Sequence, residues 1–173
     1  TLTDKGFDAL DYRYFCLGTH YRMPLMFSLE ALEGSKNARK KLVEKVLELK
    51  KVKKNEPTNE DLVQEYLNQF TVQVNDDLNT SQALATLWEM LKEEGLNGKE
   101  KYELLLKFDT VLGLDLKKVK EEKVPPNIIV LAEERLKARH NKDWKKADEL
   151  RQEIAALGYV VGDTKDGYEV RKV

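Results

Sequence analysis

Apolar residues recur at helical spacing along most of this chain, and the places where the recurrence breaks mark out its elements. A first helix is expected within residues 8–20, after Gly6, and it closes before Pro24, because proline disfavours helical geometry at Met23. Ser28 is a candidate N-cap for a long helix running to about Lys54. Leu29 and Leu32 open its stripe and Leu42, Val46 and Leu49 continue it; Gly34 and Ser35 offer a point for a kink or interruption. The stretch 55–61 (NEPTNED) is expected to be a loop. A third helix carries Leu62, Tyr66, Phe70 and Val74 at steps of four. A fourth, after NDDLNTSQ, carries Leu84, Leu87, Trp88 and Leu91, and a fifth carries Leu104, Phe108, Val111 and Leu112. Amphipathic helices joined by short polar loops must cover one another's stripes, which predicts an antiparallel helical bundle over residues 1–115.

The pattern then changes. Gly113, a charged run and the pair Pro125–Pro126 define a linker over 116–127. A sixth helix places Ile128 or Ile129, Ala132 and Leu136 together and ends near Asn141. Asp143 is a plausible N-cap for a seventh, with Trp144, Ala147, Leu150, Ile154 and Leu157 on one face and Gly158 as its stop. Beyond it, YVVGD and YEVRK flank TKDG, where Asp-Gly signals a hairpin because the turn wants positive φ. The predicted fold is therefore mainly α, a bundle followed by a small α+β domain with a β-hairpin over 128–173.

Composition narrows the functional classes. Among 173 residues, 30 Lys and Arg face 31 Asp and Glu, so no global field draws in a polyanion, and any nucleic-acid contact has to come from local clustering. No apolar run approaches the roughly 20 residues that span a bilayer, and no cleavable leader is visible; a cytoplasmic location without membrane contact is expected. Cys16 is the one cysteine, expected to pack as a small hydrophobe. His20 and His140 have no second ligand at metal spacing, so no metal site is predicted. The chain opens on Thr1 rather than Met, as expected of a piece of something longer.

Two local basic clusters stand out. Between Lys36 and Lys54 there are nine Lys/Arg against Glu44 and Glu48: either a solvated helix face or a phosphate-facing surface, for which Lys36, Arg39 and Lys40 are the backbone-contact candidates. The second cluster comprises Arg135, Lys137, Arg139, Lys142, Lys145, Lys146 and Arg151, with Arg171 and Lys172 on the ribbon, and lies among Trp144, Tyr159 and Tyr168. Charge interleaved with aromatics suits single-stranded RNA, whose backbone is held electrostatically while its bases stack. Trp144, on the apolar face, is assigned to the core. Asp163 and Asp166 either accept hydrogen bonds from bases or fix the turn. Asp76 and Asp77 read as first-turn charges and cap partners for Asn79 or Thr80; an acid/base or metal role is the rival reading. No Gly-rich phosphate loop or Ser/His/Asp arrangement supplies a catalytic site.

Three segments in fixed order resemble the C-terminal region of bacterial-type cysteinyl-tRNA synthetases over essentially the whole chain. The first is DALDYRYFCLGTHYRMPLMFS, with Arg13, His20, Tyr21, Arg22, Pro24, Leu25, Phe27 and Ser28. The second is NDDLNTSQALATLWEML, with Asp76, Asp77, Asn79, Thr80, Ala83 and Leu84. The third is ARHNKDWKKADELRQEIAALGYVVGDTKDG, with Arg139, Lys142, Asp143, Ala147, Asp148, Arg151, Gly158, Asp163, Thr164 and Gly167. Val170 stands where the family commonly has Trp, which shifts the expected aromatic contact to Tyr168, and Met23 and Met26 replace more polar residues. The resemblance implies a DALR-type helical bundle and a small anticodon-recognition domain that binds tRNA(Cys) through Arg135, Arg139, Lys142, Asp163, Tyr168 and Arg171. It also implies that the catalytic domain, with its ATP and zinc, lies upstream in the same polypeptide; no catalytic residue, cofactor or metal ligand is expected here. The rival readings are a related cysteine ligase with a small-molecule acceptor and a helical scaffold for protein partners.

Overall fold

A computed structural model describes residues 1–52, 58–121, 124–164 and 167–172. Among them are seven helices: α1 (Ala9–Leu17), α2 (Leu29–Lys50), α3 (Glu60–Asn75), α4 (Thr80–Lys92), α5 (Gly98–Leu112), α6 (Pro126–His140) and α7 (Trp144–Ala156). The hairpin β1 (Tyr159–Thr164) and β2 (Gly167–Lys172) follows. The chain divides into two compact units, Thr1–Lys120 and Glu121–Val173.

Helix starts are set by side chains that satisfy the first free N–H groups. Asp8 accepts from Leu10 N at 2.9 Å while Asp11 reaches back to Asp8 N at 2.9 Å, a reciprocal box around the start of α1. Ser28 accepts from Ala31 N at 3.0 Å, as the sequence predicts, and Asn97 with Glu100 repeats the box at α5. α2 is continuous through Gly34 and Ser35 rather than interrupted, with the Ser35 hydroxyl donating back to the Ala31 carbonyl at 3.2 Å. α2 ends at Lys50; Lys53, Lys54 and residues 55–57 of the expected loop lie outside the described residues, and Glu60 and Asp61, expected in the loop, already form the first turn of α3 behind its Asn59 cap. α4 starts at Thr80, inside the stretch expected to precede it, because Asn79 is its cap.

In the first unit, α2 packs on α1 and α5, and α3 on α4 and α5. The core contains Leu42, Val46, Leu84, Leu87, Leu104 and Leu105, with Phe70 and Phe108 stacked at 4.0 Å and an interplanar angle of 4°. Trp88 Nε1 donates to the Tyr14 hydroxyl at 2.9 Å. Cys16 packs beside a smaller cluster of Phe7, Phe15 and Leu32. The core continues past 115: Leu116 is fully buried in it and Val119 packs against it, so residues assigned to the linker from 116 belong to the first unit's packing. Val111, placed on the α5 stripe, is instead exposed at its edge.

In the second unit, α6 packs on α7, β1 on α7 and β2 on α6. Pro126 occupies the first turn of α6, where a missing N–H costs nothing. The ribbon is antiparallel, with Val161 opposite Val170 and Asp163 opposite Tyr168. Alternation puts Tyr159, Val161 and Asp163 on one face of β1. Val161 meets Ile128, Ala132 and Ile154 in the core, with Tyr168 and Val170 packed alongside. Lys165 and Asp166 of the turn lie outside the described residues.

Candidate nucleic-acid interface

The second unit's site follows from where two stripes run out. On α6 the buried residues are Ile128, Ala132, Arg135 and Ala138, and the half-buried Arg139 stands one turn beyond Arg135, so the apolar stripe gives way to two guanidinium groups. On β1 the inward face reads Tyr159, Val161, Asp163 and ends in a carboxylate. The two ends meet. Arg135 Nη1 donates to Asp163 Oδ1 at 2.8 Å and Nη2 to Oδ2 at 3.2 Å, a two-point fork, while Arg139 Nη1 lies 2.9 Å from Oδ2. The Arg135 side chain is only 4% exposed and that of Asp163 is 39% exposed. Hydrogen bonding from Arg135 holds the Asp163 carboxyl below the usual carboxylate range, with Arg139 and Arg151 adding to the effect and partial burial opposing it.

Arg139 also lies over the Trp144 ring, 5.7 Å from its centroid. Trp144 is 57% exposed, which corrects its assignment to the core. The reason is positional: it is the first residue of α7, one step past the Asp143 cap, and the buried stripe of that helix starts only at Ala147 and continues through Leu150 and Ile154. Leu157, beyond the other end, is exposed for the same reason. Trp144, Arg139 and Asp163 line a cleft of about 290 Å³ together with Leu136, His140, Thr164 and Gly167.

The remaining candidates separate. Lys142 is exposed and sits in the α6–α7 turn with φ 58°, where its N–H bonds the Arg139 carbonyl and Asp143 N–H bonds the Ala138 carbonyl, the Schellman arrangement with lysine in the position glycine favours. Tyr168 is partly buried against the Ile154 cluster, and burial pushes its hydroxyl pKa up. Arg171 pairs with Glu169 at 2.9 Å and lies opposite Val160, on the face of the ribbon away from Asp163, so the structure does not bring it to the cleft.

The basic helix face of the first unit is partly consumed by the fold. Arg39, 18% exposed, bonds the buried Asp11 at 2.7 Å and Asp8 at 3.2 Å. Lys36 lies 5.1 Å over the Phe7 ring and 3.6 Å from Glu33, and Lys50 donates to the Lys117 and Val119 carbonyls. Lys40 and Lys41 are exposed. Asp77 does not cap α4. It accepts from the Tyr21 hydroxyl at 2.7 Å and pairs with Arg22 Nε at 2.8 Å, which joins the His-Tyr-Arg segment to the Asp-Asp segment; Thr80 fastens the same junction by donating to the Leu17 carbonyl at 3.0 Å.

Two family models match the chain. Residues 69–117 match the DALR domain, and residues 122–171 match the cysteinyl-tRNA ligase anticodon binding domain. The chain belongs to the cysteinyl-tRNA ligase family, as its anticodon-binding part. It is 37% identical over 189 residues to a cysteine–tRNA ligase of Borreliella burgdorferi (strain ZS7), covering 99% of this chain and 39% of that protein. A cysteine–tRNA ligase of Chlamydia abortus is 34% identical over 185 residues with the same coverage, and cysteine–tRNA ligase 1 of Burkholderia lata is 34% identical over 169 residues, 96% of this chain and 34% of that protein. The chain thus spans about two fifths of the length of these ligases, at their C-terminal part. Among the described residues no group of three or more His, Cys, Asp or Glu could hold a metal ion, and no described helix is long and apolar enough to cross a membrane.

Proposed function

We propose that this chain is the tRNA(Cys)-binding part of a cysteine–tRNA ligase and reads the anticodon loop with its second unit, while ATP-dependent charging of the tRNA belongs to another domain of the same cytoplasmic polypeptide. The observation that carries the reading is the half-exposed Trp144 ring with the Arg139 guanidinium across it, opening on a cleft that Asp163 also lines. An unpaired base stacks on such a ring, and a neighbouring guanidinium donates to its edge or to the adjacent phosphate.

In this reading Arg139 is the base-edge or phosphate donor, Lys142 a backbone contact from the exposed turn, and Asp163, which lines the cleft, an acceptor. Arg171, on the other face of the ribbon, contacts backbone rather than the same base. Tyr168 supports the ribbon from its packed side. In the first unit Lys40 is the better placed phosphate contact, since Arg39 is committed to Asp8 and Asp11 and Lys36 to Phe7 and Glu33. ATP and zinc enter no step carried by these residues.

The test is a titration of the full-length enzyme with tRNA(Cys) and with the same transcript altered only in its anticodon, at fixed salt. The reading expects the altered transcript to bind about tenfold or more weakly, each lost base contact being worth about 1–3 kcal/mol. Equal affinities would overturn it.

A further inference from the structure

Arg135 is an expensive residue to bury. It continues the α6 stripe of Ile128 and Ala132, it is 4% exposed, and its Nε is buried without a hydrogen-bond partner among the described protein groups. A buried donor left unpaired costs free energy, and a buried ion pair is often no more stabilising than an aliphatic side chain of similar size. A leucine or methionine here would serve the packing alone at least as well.

What an aliphatic side chain cannot do is orient a carboxylate. The Arg135 fork fixes both the ionisation and the plane of Asp163, since two parallel N–H donors on two oxygens leave it one orientation. Of the roughly four lone-pair positions of a carboxylate, two are then filled by Arg135 and a third by Arg139 Nη1 at 2.9 Å. The same contact holds Arg139 over Trp144. The chain of contacts therefore runs from a buried anchor, through Asp163, to a guanidinium and an aromatic face that both open on the cleft.

We propose that Arg135 is a positioning residue for base discrimination, acting through Asp163 and Arg139 without touching RNA. This rests on the tRNA reading above and assigns Arg135 a different part from that of a direct contact. Arg135 presets a donor and an acceptor at fixed separation beside the Trp144 ring, so that a base stacked there is selected by the pattern of its edge.

The experiment uses the full-length enzyme, the tRNA(Cys) transcript and its anticodon-altered counterpart, and reads the ratio of the two dissociation constants. Arg135→Met removes the fork and keeps the volume; Arg135→Lys keeps a charge but offers a point donor in place of a planar fork. Both are expected to lower the ratio about tenfold, by weakening tRNA(Cys) binding while leaving the altered transcript and the salt slope unchanged. Arg135→Met combined with Asp163→Ala should lose no more discrimination than Asp163→Ala alone, because the whole effect of Arg135 passes through Asp163. A thermal melt of each variant establishes that the second unit is folded; should Arg135→Met unfold it, Arg135→Lys decides. An unchanged ratio in a folded variant, or an equal loss of affinity for both transcripts, overturns the positioning role and leaves the tRNA reading standing. A wild-type enzyme that does not discriminate removes both.

Discussion

Arg13 Nε donates to the carbonyl oxygen of Leu112 at 2.6 Å, across 99 positions of sequence, and so places a cation at the C-terminal end of α5. That end carries free carbonyls and the negative end of the helix dipole, which favours the contact. Gly113 closes α5 with φ 64°, and a Cβ there would lie 2.6 Å from Arg13 Nη2. Gly113→Ala should therefore destabilise the first unit by about 1–2 kcal/mol for the left-handed backbone, and more if Arg13 is displaced. Urea denaturation followed by circular dichroism checks this, and Gly34→Ala, at an open helical position, should go the other way by up to about 1 kcal/mol.

Lys142 holds a position that suits glycine. Lys142→Gly should stabilise the second unit by about 1 kcal/mol, since the left-handed conformation no longer opposes a side chain. The same change should weaken tRNA binding modestly and lower the salt slope by about 1, as expected for one lost phosphate contact. Thermal melting and a binding isotherm at several salt concentrations read the two effects separately.

Leu78 and Asp77 have φ of 56° and 51°, both left-handed, and Leu78 is exposed. Leu78→Asn should raise stability by about 0.5–1 kcal/mol because asparagine tolerates this region and little packing is lost. Asp77→Ala should cost no more than about 1–2 kcal/mol, since its contacts to Tyr21 and Arg22 are solvent-exposed and such pairs are individually weak. Chemical denaturation of the two variants beside wild type checks both signs.

Acid should weaken the second unit through Asp163. Its carboxyl titrates below the ordinary value because Arg135 bonds the ionised form, so the pair's contribution is complete above the unfolded pKa of about 3.9 and is lost as pH falls through the lower, folded pKa. Asp163→Asn should abolish that acid-linked loss while lowering stability at neutral pH by about 2 kcal/mol, a value reduced from that of a fully buried pair because Asp163 is partly solvated. Denaturant midpoints between pH 6 and about pH 2.5 distinguish the two proteins.

Helical periodicity made the bundle, the α6–α7 pair and the hairpin legible, and local chemistry made the Ser28 and Asp143 caps legible. Periodicity identifies which positions share a face but not where coverage of that face ends, which is why Trp144 and Val111 read as core and are exposed. It also gives polar residues no depth. Arg135 and Asp11 lie on buried faces because each has a partner 28 positions away in sequence, Asp163 for one and Arg39 for the other. Tyr21 and Asp77 are 56 apart, and nothing local in either segment announces their hydrogen bond. Arg135 stands a step of three from Ala132 on the α6 stripe, and Leu136, a step of four away, fits the same place in the apolar pattern, so spacing alone does not separate them.

The sequence has two tryptophans, and they fall one in each unit: Trp88 tethered to the Tyr14 phenol among the bundle helices, Trp144 with its indole mostly in water. Their emission should differ in colour, and replacing either with phenylalanine leaves a single native fluorophore. Quenching by a docked nucleotide could then be followed in one half of the molecule while melting of the other is timed independently, without any attached dye.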